Sequence, residues 1–86
     1  MWAICAQAEQ VFENLKAALH AVGTDFAHVV KMTIYTTDIA QIPAIREVRD
    51  RYVNTASPPA STAVEVRQLV REEFLVEIEA VAIVPG

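Results

Sequence analysis

Apolar and polar positions recur along this chain with two periods, and the changes of period mark its elements. From residue 3 to 22, Ala8, Val11, Phe12, Leu15, Leu19 and Val22 fall three or four apart, opposed by Glu9, Glu13, Asn14 and Lys16. That stripe predicts a helix over 3–22, stopped by Gly23, since glycine enters the left-handed conformation beyond a helix end without strain. From His28 to Thr36 the period falls to two. Val30, Met32 and Ile34 are expected on one side and Lys31, Thr33 and Tyr35 on the other, in a β-branched strand over 28–36. Helical spacing returns at Ile42, Ile45, Val48 and Tyr52, with Pro43 in a first turn that does not need its N–H. A helix over 42–54 would let Arg46 pair with Asp50, and Glu47 with Arg51, across its exposed side. Ser57-Pro58-Pro59 ends it.

Two more strands are expected, over 60–67 and 74–84. In the first, Ser61, Ala63 and Glu65 alternate with Thr62, Val64 and Val66. In the second, Val76, Ile78, Ala80, Ala82 and Val84 form an apolar face. The other face, Leu75, Glu77, Glu79, Val81 and Ile83, is apolar at both ends with two carboxylates between. A strand facing only water has no use for Val81 and Ile83 on that side, so a second, half-polar buried face is expected, with another subunit as its cover. Strand, helix, strand implies a crossover to a parallel neighbour, followed by an antiparallel hairpin. The expectation is a single α+β domain, residues 1–86, with two helices packed on one face of a mixed sheet.

Composition sharpens this picture. The chain has 86 residues, 53% of them hydrophobic and 21% charged. That is too apolar for disorder. It is also more apolar surface than a small monomer hides easily, since a domain of this size covers only about 60–65% of its unfolded surface; self-association is expected. The net charge of −4 and the absence of a basic run argue against a nucleic-acid partner. The opening Met1-Trp2-Ala3-Ile4-Cys5-Ala6 has no positive start and no long apolar core, and no apolar run approaches the roughly 18 residues of a membrane span. A soluble, cytoplasmic protein with no membrane partner is the expectation.

Few residues suggest chemistry. Glu77 and Glu79, about 7 Å apart on one strand face, suit acid–base work if burial raises one pKa, and equally suit an acidic strip at a polar interface. Ser61 and Thr62 offer hydroxyls without a recognisable base, and read as strand-edge hydroxyls. His20, His28 and the single Cys5 have no ligand spacing, so no metal site is expected. Arg46, Arg49 and Arg51 read as a solvated helix face, and Glu72-Glu73 as a solvated turn.

The order of segments carries a resemblance. Gln7 through Lys16, with Asn14-Leu15, followed by Gly23, resembles the helix that opens the RidA family, also called YjgF or L-PSP-like. Val29-Val30-Lys31-Met32-Thr33-Ile34 through Asp38 resembles its V-V-K-x-T-V strand. Pro59-Ala60-Ser61-Thr62-Ala63-Val64-Glu65-Val66 resembles P-A-R-S-x-V-E-V, and Val76-Glu77-Ile78-Glu79-Ala80-Val81-Ala82 resembles V/I-E-I-E-A-I/V-A. The matches run in order over essentially the whole chain.

The resemblance implies a chorismate-mutase-like fold, a homotrimer, and a small-metabolite cleft between subunits. Typical members hydrolyse enamines or imines to keto acids and ammonia without a cofactor. Glu77 stands at their water-activating glutamate and is the expected catalytic residue. Ser61 stands where an arginine grips the substrate carboxylate, with Thr62 and Ala63 beside it. Arg46 falls where many members have asparagine. These four are the expected substrate-binding positions. With a neutral hydroxyl at Ser61, weak or no deamination of 2-imino acids is expected; an active deaminase of altered specificity is the alternative, and endoribonuclease activity, attached to some relatives, sits poorly with the acidic charge. Members also carry strands ahead of the first helix. This chain is expected to lack them and to leave a sheet edge unpaired.

Overall fold

In the computed structural model, which describes residues 3–86, the chain runs α1 (Ile4–Ala21), a 3-10 turn (Phe26–His28), β1 (Val29–Thr36), a second such turn (Ile39–Gln41), α2 (Ile42–Arg49), β2 (Ala60–Glu65) and β3 (Val76–Ala82). Met1 and Trp2, at the head of the segment expected to hold no targeting signal, lie outside the described residues. Among the described residues no helix is long and apolar enough to cross a membrane.

The stripe on α1 does what its spacing demands. Ala8, Phe12 and Leu19 are buried, and Val11 and Leu15 pack against the same core. Val22 departs from it and is exposed, because the helix ends at Ala21 and the chain turns away. The end is a Schellman motif: Gly23, at φ +84°, donates to the His20 carbonyl at 3.1 Å, and Thr24 donates to Leu19 at 3.0 Å. Thr24 then donates its hydroxyl to the Ile83 carbonyl at 2.7 Å, tying the turn to the far end of the sheet.

The sheet order is β2-β1-β3, with β1 parallel to β2 and antiparallel to β3. The expected hairpin between the last two strands is not formed; β3 crosses to the other side of β1. The intervening segment is not a tight turn but an irregular run whose backbone bonds elsewhere. Val66 donates to Thr36, Leu75 accepts from Thr37, and the Gln7 side chain takes both Glu73 and Leu75. Val30 also departs from expectation. A bulge between Val29 and Lys31 inserts one unpaired residue, so Val29 is buried and Val30 lies exposed.

α2 buries Ile42, Ile45 and Val48, as its spacing predicts, but ends at Arg49 rather than 54. Asp50 caps the helix, its N–H still donating to the Arg46 carbonyl at 2.9 Å, and Arg51 follows in a further turn, donating to Val48 at 3.1 Å. Asp50 pairs with Arg49 at 3.0 Å and Arg51 with Glu9 at 3.1 Å, in place of the expected partners. The flanking strands are also shorter than expected. Phe12, Met32, Ile34, Ile45 and Val48 form the dry centre between helices and sheet. Phe12 stacks on Tyr52 at 5.1 Å, closing the core under the end of α2.

Candidate functional site

Strand register decides which candidate residues meet. Paired positions on neighbouring strands point to the same side of a sheet. Met32 pairs with Ser61 and Ala80, Ile34 with Ala63 and Ile78. Since Met32 and Ile34 are buried under the helices, Ser61 and Ala63 share the helix-covered side. Thr33 pairs with Thr62 and Glu79, Tyr35 with Val64 and Glu77. These residues share the other side, which no element among the described residues covers. Glu77 and Thr62 thus lie on the open face, and Ser61 and Ala63 on the helix side.

They are separated along the sheet as well as across it. Ser61 belongs to β2 and Glu77 to β3, the two outer strands. Within one protomer the expected catalytic and carboxylate-binding positions do not converge.

On the open face the two carboxylates differ. Glu79 accepts the Tyr35 hydroxyl at 3.1 Å, and that bond, which favours the neutral phenol, pushes the Tyr35 pKa up. Glu77, directly opposite Tyr35, has no hydrogen-bond or ion-pair partner among the described residues. Sequence spacing treated the two glutamates alike. What separates them is Tyr35, whose side chain spans the diagonal to Glu79, and nothing in the chain order announces that choice.

On the helix side, Arg46 is exposed, and the guanidinium beside Ser61 belongs to Arg49. Its Nη1 lies 3.4 Å from the Ser61 oxygen, while Nε and Nη2 donate to Asp50 Oδ1 at 3.1 and 3.0 Å. Helical spacing alone leaves Arg49 indistinguishable from Arg46 and Arg51, because its distinguishing contact is with Ser61, on a strand twelve residues further along the chain. The available signal was the i, i+3 relation to Arg46, which turns the two side chains to adjacent but different parts of the helix surface.

A groove of about 450 Å³ runs between α1 and the outer edge of β3, with Val11, Leu15, Phe74, Val76 and Ile78 in its wall and Glu77 at its rim. β3 bonds only to β1, so its outer backbone edge is unpaired among the described residues.

The family model described as Endoribonuclease L-PSP matches residues 3–84. The chain belongs to the RidA/YjgF/L-PSP family. Among relatives of this RidA-family chain, the protein DfrA of Myxococcus xanthus is 49% identical over 80 residues, which is 93% of this chain and 60% of that one. The 2-iminobutanoate/2-iminopropanoate deaminase of Salmonella typhimurium is 32% identical over 82 residues, covering 93% and 63%. A YjgF-family crystal structure from Neisseria meningitidis matches with TM-score 0.93 at 29% identity, over 100% of this chain and 71% of that one. RidA from an Antarctic Psychrobacter matches with TM-score 0.85 at 38% identity, over 93% and 63%. The chain spans about 60% of the length of the curated relatives DfrA and the Synechocystis RutC family protein. Its two helices on a mixed sheet are the chorismate-mutase-like arrangement of the RidA fold.

Proposed function

We propose that this RidA-family chain binds a small carboxylated metabolite in a cleft between copies of itself, as a homotrimer, with weak or no deamination of 2-imino acids. The observation that carries this reading is the separation of Ser61 and Glu77 to opposite faces and outer strands of one sheet. A site that uses both must take Ser61 from one protomer and Glu77 from another. The open face of Thr62, Val64, Glu77, Glu79 and Val81, with Val81 56% exposed, supplies the surface for such an assembly.

Hydrolysis of a 2-imino acid adds water to the imine carbon, breaks the C–N bond and releases ammonia, leaving a 2-oxo acid. Glu77, whose side chain has no partner among the described residues, is the side chain to hold or deprotonate that water. Ser61 supplies no charge against the substrate carboxylate, and a neutral hydroxyl binds a carboxylate less tightly than a guanidinium fork. An anchor other than a side chain at position 61 holds the carboxylate in a different place relative to Glu77, and that is the reason for expecting poor turnover.

The test generates 2-iminopropanoate in situ and follows ammonia release. Release at little more than the spontaneous rate is expected, and equally for wild type and Glu77→Gln. Fast release that Glu77→Gln abolishes would establish the active-deaminase alternative instead. The net charge of −4 speaks against cleavage of RNA, and single-stranded RNA is expected to survive incubation intact.

A further inference from the structure

We infer that Arg49 is the carboxylate-binding group of this cleft, taking a small 2-oxo or 2-imino monocarboxylate at the edge of β2. The inference rests on the small-metabolite reading above and assigns that metabolite its anchor.

Three observations support it. Arg49 is the best-covered of the ion-paired arginines, its side chain 19% exposed against 54% for Arg51 and 69% for Arg71. A covered guanidinium at a fixed position loses less freedom on binding than one waving in solvent. Second, the Asp50 pair leaves one edge of the guanidinium unused. Asp50 takes Nε and Nη2 through one oxygen, which fixes the plane of the guanidinium. The remaining edge, between Nη1 and Nη2, carries the pair of parallel N–H bonds that match a carboxylate. Third, the group beside that edge yields. Ser61 accepts from Nη1 at 3.4 Å, a long contact, and its hydroxyl is free to turn and donate to a ligand oxygen.

Asp50 works in two directions. Its oxygen orients the fork, and its charge opposes an incoming anion. Asp50→Asn keeps an acceptor oxygen and removes the charge, so it is expected to tighten carboxylate binding. A purely structural Asp50–Arg49 pair predicts no such gain.

The experiment titrates the full chain, in its native assembly, with 2-oxobutanoate and with its neutral methyl ester, following amide and arginine Nε signals by NMR. The expected result is saturable binding of the acid with the Arg49 Nε and Ser61 signals moving, and weaker binding of the ester. Arg49→Gln should weaken the acid by about tenfold or more, as loss of a charged bidentate pair implies, and leave the ester unchanged; Asp50→Asn should bind the acid more tightly. Acid binding that Arg49→Gln and Asp50→Asn both leave at the wild-type affinity overturns the inference and leaves the cleft reading standing. A wild-type protein that binds neither compound overturns both.

Discussion

The Leu75 N–H donates to the Gln7 side-chain oxygen at 2.8 Å, and the amide nitrogen of the same side chain donates to the Glu73 carbonyl at 2.9 Å. A buried glutamine on α1 thus bonds the chain entering β3 as a neighbouring strand would, one donor and one acceptor two residues apart. The segment needs this because it has left β2 without a hairpin and its strand pairing with β1 begins only at Val76.

Replacing Gln7 by Met keeps the volume and removes both bonds. Buried backbone groups left without partners cost about 1–3 kcal/mol. Gln7→Met is therefore expected to lower the free energy of unfolding by about 1 kcal/mol, the lower end because both bonds are only partly buried, and with it the denaturation midpoint, and to speed amide exchange at Leu75 more than in the centre of β1. Uniform exchange, or an unchanged midpoint, would show that the segment is held by Thr36 and Thr37 instead, which also bond the Leu75 carbonyl.

Tyr52 offers a pH-dependent test. Its hydroxyl donates to Glu13 at 2.6 Å, and this bond, made only by the neutral phenol, raises its pKa from 10.0 to about 12. A raised folded-state pKa means that the contribution is complete below pH 10 and is lost as pH climbs from 10 toward 12. Tyr52→Phe should cost about 1 kcal/mol at neutral pH and should lose less stability than wild type through that alkaline window. Parallel stability–pH curves for the two proteins would contradict the assignment.

Gly23 isolates a backbone effect. At φ +84° a side chain is strained, yet an added Cβ would meet nothing within 4 Å. Gly23→Ala is thus expected to destabilise by about 1 kcal/mol, a conformational cost without a clash. Calorimetry of the variant checks it; a loss above about 3 kcal/mol would imply that the Schellman turn itself unravels and frees Thr24 from Ile83.

The helices were legible from single residues, and much of the site was not, for a reason these elements share. Ala8, Phe12, Ile45 and Val48 declare their burial through local spacing, and Gly23 declares the end of α1. Val30 reads as a core residue until a bulge, which depends on pairing with Val81 and Ala82, turns it outward. The position of β3 across β1 depends on where Gln7 finds backbone to bond. The family-like motif around Glu77 was legible, but the separation of Glu77 from Ser61 follows from register between strands distant in sequence. Arg49 was hidden because its contact is with Ser61 on β2, twelve residues further along the chain. Non-local pairing decides each of these outcomes, and a period measured along the chain does not contain it.

Val81 provides the test of assembly. It lies on the uncovered face, paired with Lys31 across the sheet and 56% exposed in one protomer. A charge placed at such a position in an isolated subunit changes stability by no more than about 0.5 kcal/mol. Buried between copies, the same charge loses its water without a partner and costs several times that. Val81→Asp is therefore expected to shift the proposed trimer to smaller species in light scattering while leaving the far-ultraviolet circular dichroism of the subunit unchanged. A wild-type protein that scatters as a monomer, or a Val81→Asp variant that remains trimeric, would move the subunit contact away from this face and with it the meeting of Glu77 and Ser61.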